Sequence, residues 1–276
     1  GRFPPGHYTD DTEMMISLLE ALVRAKGFDP ALTAARFLAN FHPERGYGGR
    51  IYGLMDRLAA GEPWDKVGTD SYGNGSAMRA APIGFFFYDD LERLAEAAAT
   101  QASITHRHPE ALAGAVIQAG AVALALRAGL KKRPIERLSF LQTLAGLARD
   151  FDQTSARRLL SLADLTPGQP QEVILQIRSL YRCNVKAVEA VPPAIAAFLL
   201  TEDFQQAVIL AVNLGGDTDT IGAMAGAAAG AYYGLKGLPP VWVRVLENGS
   251  LGRDYVVNLC QKAVDIKTGP EARQAL

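Results

Sequence analysis

The densest chemistry in the chain is Gly215-Gly216-Asp217-Thr218-Asp219-Thr220, where two carboxylates and two hydroxyls fill four consecutive residues between apolar runs at 207–214 and 221–234. A second oxygen-rich turn, Tyr8-Thr9-Asp10-Asp11-Thr12-Glu13, precedes another apolar run. Each turn has an ordinary structural use. Thr218 or Asp219 can cap the helix that follows, and Asp10 with Glu13 has capping-box spacing. If the two turns meet, four aspartates crowd one place, and their repulsion calls for cations. Carboxylate and hydroxyl oxygens suit Mg²⁺, Mn²⁺ or Ca²⁺ rather than zinc.

A third stretch with chemical potential is Asp70-Ser71-Tyr72-Gly73-Asn74-Gly75-Ser76, inside the least regular part of the chain, 64–82. Its glycines can aim backbone N–H groups at a phosphate, and Tyr72 offers a stacking face. The same composition also makes a solvated polar turn with no ligand. Thr105-His106-Arg107-His108-Pro109 is the next polar turn.

Helices must position these segments. Met14, Leu18, Leu19 and Leu22 recur at helical spacing, which predicts a helix over 11–26, stopped by Gly27. Asp29-Pro30 opens a second helix to Ala39, and the cluster Arg45-Gly46-Tyr47-Gly48-Gly49 precedes a third over 51–60. Residues 83–88 are apolar enough for a short strand. Asp89-Asp90 caps a helix to Ser103. Further helices are expected over 109–128, 134–148, 154–165 and 171–181, with Pro192-Pro193 at the start of another. Gly222, Gly226, Gly230 and Gly234 put a smooth ridge on the helix after the acidic turn. Residues 241–275 read as a closing helical layer. No hairpin signals and no fixed repeat occur. The expected fold is all-α: a single compact orthogonal helical domain over 1–276, with functional loops at helix ends on one side.

Composition narrows the classes. With 49% hydrophobic and 21% charged residues and a net charge of −1, the chain is of globular type and carries no basic field for nucleic acid or an anionic membrane. Cys183 and Cys260 have no motif spacing, which points to a reduced, cytoplasmic protein. Residues 1–7 are too short and polar for a signal peptide. The apolar segments 111–126 and 221–235 fall short of the ~20 residues a membrane span needs and read as core helices. The protein is expected to act as a monomer.

Tyr8-Thr9-Asp10-Asp11-Thr12 and Gly215-Gly216-Asp217-Thr218-Asp219-Thr220 resemble the two metal-binding signatures of the ADP-ribosylglycohydrolase family. The resemblance covers nearly the whole chain and is greatest to the branch acting on ADP-ribosyl-serine and poly(ADP-ribose). It implies a binuclear Mg²⁺ (or Mn²⁺) site in a cleft between helix-end loops, with Thr9, Asp10, Asp11, Asp217, Asp219 and Thr220 as ligands. Asp219 or Asp11 would be the bridge, and Asp10 and Asp11 would belong to the catalytic machinery. It further implies that Gly46, Gly48, Ser71, Tyr72, Gly73, Asn74 and His106 bind ADP-ribose, and that Met78, Arg79 and Pro82 continue the pattern. The expected partners are ADP-ribose and ADP-ribosylated protein. The chain departs from the family at its start. Members carry a Gly-Asp-Ala-Leu-Gly-like helix and a catalytic glutamate upstream of the first acidic turn. Only eight residues precede Thr9 here, and Glu13 lies within the helix. Three functions are therefore in play: a hydrolase removing ADP-ribose, a weakly catalytic ADP-ribose-binding module, and a metal-dependent phosphohydrolase.

Overall fold

The structure, a computed structural model, describes residues 3–269. The part of the expected closing layer at 270–275 lies outside the described residues. Among the described residues no strand forms; isolated bridges join Thr69 to His106 and Gly73 to Lys186. The helices group into two compact units, one drawn from Gly1–Val67 and Pro240–Leu276 and the other from Gly68–Pro239.

In the first unit, the helix Asp10–Ala25 buries Met14, Leu18 and Leu22 against the helices Pro30–Ala39 and Arg253–Thr268. Lys26, not Gly27, terminates it. Lys26 takes the left-handed conformation (φ 51°) and its N–H returns to the Leu22 and Val23 carbonyls. Asp29 caps the next helix by accepting from the Leu32 N–H at 2.9 Å. The buried Glu20 carboxylate joins all three helices, accepting from Arg36 Nε (2.6 Å), Asn40 Nδ2 (2.9 Å) and the Tyr255 hydroxyl. A buried carboxylate is tolerable only with such partners.

The second unit is built around the helix Pro109–Leu130, which touches the helices Ala81–Phe86, Leu91–Ser103, Arg137–Ala148, Ala187–Leu199 and Thr218–Tyr233. It is longer than its apolar core suggested. At 22 residues it has the length and apolarity of a membrane span, yet 72% of its most apolar window is buried inside the protein. Its small residues let neighbours come close, as at Gly84, where a Cβ would stand 2.4 Å from the Ala119 carbonyl.

Four local expectations are corrected here. Residues 83–88 form no strand; Ala81–Phe86 is a helix with Pro82 in its first turn, where its missing N–H is harmless. Pro192 and Pro193 lie inside the helix Ala187–Leu199 rather than at its start. Each removes an internal hydrogen bond and crowds the preceding turn, together a cost of about 3 kcal/mol or more; both prolines are buried with the residues Ala194–Phe198. The N-cap of Thr218–Tyr233 is Asp217, not Thr218 or Asp219, and its side chain makes no capping bond. The glycine ridge on that helix meets side chains rather than backbone. Cβ atoms at Gly222, Gly226 and Gly230 would face Val212, Val208 and Phe204 of the helix Phe204–Val212, while Gly234 is the C-cap.

Candidate active site

Within the second unit the structure brings together three segments that are far apart in sequence. Asn74 is buried and donates from Nδ2 to Asp217 Oδ2 at 2.6 Å. Its N–H donates to the Val185 carbonyl at 2.9 Å, and the Tyr72 carbonyl accepts from the Ala187 N–H at 3.0 Å. The loop is thus clamped to the start of the helix Ala187–Leu199 on one side and to the acidic turn on the other. Three of its N–H groups are already committed, Ser71 to the Thr69 carbonyl at 2.8 Å, Gly73 to Ser71 Oγ at 3.3 Å and Asn74 to Val185. Tyr72 stays 41% exposed, with the Lys186 ammonium 4.8 Å from its ring centre and the His108 ring edge-on at 5.9 Å. An exposed aromatic on a clamped loop is a ready stacking surface.

His106 lies beneath this loop. A Cβ on Gly75 would stand 3.0 Å from its ring, and one on Gly73 3.3 Å away, so the loop's glycines permit a contact that side chains would prevent. Thr105 Oγ1 is 2.7 Å from His106 Nδ1 and accepts from Arg79 Nη2 at 2.8 Å. Arg79, fully buried, also donates to Gln101 Oε1 (2.8 Å) and to the Gln101 carbonyl (2.9 Å). Gln101 in turn donates to the Ser76 carbonyl at 2.9 Å. One buried polar network therefore holds both the imidazole and the end of the loop. His108 serves differently: it caps the long helix, accepting from the Glu110 N–H at 3.2 Å.

The acidic turn is shaped by Cys183. The Asp217 N–H donates to the Cys183 carbonyl at 2.8 Å. Gly215 and Gly216 both have φ of +76°, and a Cβ on Gly216 would sit 1.9 Å from that carbonyl oxygen. Only glycine fits there. Burial pushes the Cys183 thiol up to about 11, so it is no nucleophile at neutral pH. Burial also raises the Asp217 carboxyl; the Asn74 hydrogen bond opposes this, and the adjacent Asp219 carboxylate raises it further, with a net upward shift. Two carboxylates in contact favour a proton or a cation between them. Thr220 is buried and Asp219 is exposed. This all-oxygen donor set fits a hard cation. Among the described residues, no three or more His, Cys, Asp or Glu side chains form a group that could hold a metal.

In the first unit, Thr9 is the N-cap of the helix Asp10–Ala25 without a side-chain capping bond, and its hydroxyl donates to Asp11 Oδ2 at 3.1 Å. Glu13 does not turn back to form a capping box. It is fully buried and accepts from Tyr47 Oη (2.7 Å) and the His42 N–H (3.0 Å), with His42 Nδ1 at 2.7 Å. Arg45 holds the preceding strand of chain by donating to the Tyr8 carbonyl (3.0 Å) and, bidentately, to Glu247 (2.7 and 3.1 Å). Gly46 turns the chain with φ of +94°, and Gly48 caps the helix Gly49–Ala59 with open space around its Cα. Sequence reasoning missed Glu13, Tyr47, Arg45 and Glu247 as supports of the first turn, and Cys183 and Lys186 beside the second. The partners lie too far apart in the chain for any spacing to announce them.

Among the described residues the fold is all-helical, and it ties an aromatic, glycine-bearing loop to an acidic helix-start turn. The profile of the ADP-ribosylglycohydrolase family matches residues 1–273, and the chain belongs to that family of hydrolases. It is 30% identical to the ADP-ribosylhydrolase ARH3 of Homo sapiens over 281 residues, spanning 87% of this chain and 75% of that protein. Identity to the ARH3 of Gallus gallus is 30%, over 87% of this chain and 74% of that one. A solved structure described as an ADP-ribosylglycohydrolase-related protein complex superposes with a TM-score of 0.71 at 31% identity, covering 96% of this chain and 83% of that one.

Proposed function

We propose that this chain hydrolyses the glycosidic bond at the distal ribose of ADP-ribose, releasing ADP-ribose from serine-modified protein or from poly(ADP-ribose). The observation that carries this is the Asn74–Asp217 hydrogen bond, which couples the Ser71–Asn74 loop to the acidic turn. Tyr72 stacks on the adenine, Ser71 and the loop hold the diphosphate, and the His106 ring supports the loop from below. Thr9, Asp10 and Asp11 of one turn and Asp217, Asp219 and Thr220 of the other are the residues that would hold divalent cations, Mg²⁺ or Mn²⁺. Bound there, the cations would fix the ribose hydroxyls and stabilise charge that develops during cleavage. An ionised aspartate among Asp10 and Asp11 takes the proton of the attacking water as the C–O bond to the anomeric carbon breaks, a contribution typically of 10²–10⁴-fold; the leaving serine or ribose oxygen takes a proton from solvent, and the aspartate returns its own.

The test is to incubate the protein with a serine-ADP-ribosylated peptide and Mg²⁺ and to quantify free ADP-ribose and inorganic phosphate. ADP-ribose should appear, phosphate should not, and Asp219→Ala should slow release by about 10²-fold or more. Phosphate as the product would replace this reading with a phosphohydrolase. ADP-ribose binding with no product would make the chain a binding module.

A further inference from the structure

The second unit has a cavity of about 560 Å³ whose lining includes neither Asn74 nor Asp217; it is formed by Arg158, Arg178, Tyr181, Arg182, Lys186 and Glu189 among others. Four cations face one carboxylate. That carboxylate is engaged: Glu189 accepts from Arg158 Nη2 at 2.9 Å and from the Arg182 N–H at 2.6 Å. Arg158 is further held by the Leu180 carbonyl (3.1 Å) and lies 4.8 Å over the Tyr181 ring. Among the described residues, no carboxylate pairs with the side chains of Arg178, Arg182 or Lys186.

Like charges converging on one concavity repel, and the field they create concentrates anions there. Guanidinium groups bind phosphate through paired N–H donors, a geometry that lysine alone does not supply. The cavity also borders the proposed ligand site. Lys186 lies against the Tyr72 ring, and Arg178 Nη1 is the atom nearest the outward face of Gly215, 3.8 Å from where a Cβ would be.

We propose that this cavity binds a second diphosphate, that of the ADP-ribose unit adjoining the one cleaved, so that the chain prefers poly(ADP-ribose) to a single serine-linked unit. The identity of the ligand rests on the proposed function; the anion site itself rests on the cavity. Three cations without carboxylate partners are best met by a group with two or more negative charges in a compact volume. A run of acidic side chains would spread the same charge over a longer segment.

The experiment compares the parent with Arg178→Ala/Arg182→Ala, both positions being exposed. Calorimetric titration of inorganic pyrophosphate without divalent cations should show binding by the parent that weakens at least ten-fold in the double variant. In steady-state kinetics with Mg²⁺, KM for two-unit poly(ADP-ribose) should rise at least ten-fold with kcat unchanged. KM for a serine-ADP-ribosylated peptide should stay within two-fold. Equal rises for both substrates would place the cleaved unit's own diphosphate in the cavity and overturn the proposal, as would unchanged pyrophosphate binding. Displacement of pyrophosphate by a glutamate-rich peptide at lower concentrations than by two-unit poly(ADP-ribose) would overturn it in favour of an acidic protein segment. Loss of pyrophosphate binding in the variant of a parent that hydrolyses neither substrate would overturn the proposed function while leaving the diphosphate site standing.

Discussion

The amide of Asn74 donates to the carboxylate of Asp217 at 2.6 Å across 143 positions of chain. This bond makes the ligand loop and the acidic turn one device. A hydrogen bond to a charged group is worth about 1.5–3 kcal/mol. Asn74→Ala should therefore weaken Mg²⁺-dependent ADP-ribose binding by roughly ten-fold or more, measured by calorimetry. Asn74→Asp should do worse, since it sets a third carboxylate against Asp217 and Asp219. Parent-like affinity in Asn74→Ala would uncouple the loop from the turn.

The two glycines of the acidic turn share the same φ but not the same surroundings. Gly215→Ala meets nothing nearer than Arg178 Nη1 at 3.8 Å and should lose only the left-handed backbone penalty, about 1–2 kcal/mol. Gly216→Ala drives a Cβ to 1.9 Å from the Cys183 carbonyl and must displace backbone. Denaturant midpoints should rank the parent above Gly215→Ala and Gly215→Ala above Gly216→Ala. Equal losses would contradict the close approach of Cys183.

Tyr72 stands 41% exposed, so its removal should leave stability almost unchanged. Stacking of a base on an aromatic is worth about 1–3 kcal/mol. Tyr72→Ala should accordingly lower affinity for ADP-ribose while sparing ribose 5-phosphate, which has no base. Similar losses for the two ligands would remove adenine from Tyr72.

Glu247 supplies a pH test of the first unit. Partial burial pushes its carboxyl up, but hydrogen bonds from Arg45 and the Tyr8 N–H, with the Arg45 charge, outweigh this and hold it below the ordinary value. A depressed carboxyl contributes stability above its unfolded pKa, which is lost as pH falls through the lower folded value. Glu247→Gln should therefore melt below the parent at pH 7, and the gap should close as pH drops below ~4.3. A gap that persists in acid would mean that packing, not charge, sets the role of Glu247.

Sequence alone determined the helical class, the acidic turns and the loop. The reason is that these are short-range facts. Met14, Leu18 and Leu22 share a helix face whatever lies opposite, and Asp29-Pro30 caps its helix with atoms three residues away. Tertiary structure decided what the polar groups are for. Glu13 has capping-box spacing with Asp10, yet it turns into the core to meet Tyr47 and His42, partners 34 and 29 positions on. Pro192 and Pro193 signal a helix start, yet buried packing carries a helix through both. Residues 83–88 are as apolar as a strand, yet Ala81–Phe86 is a helix, and Gly84 lets the helix Pro109–Leu130 approach it closely. Gly216 is glycine because of a carbonyl on Cys183, and Asn74 is polar because Asp217 faces it. Hydrogen bonds and close contacts of this kind act through space at about 3 Å. They leave no period or spacing in the chain, so they become legible only once the fold has set the partners side by side.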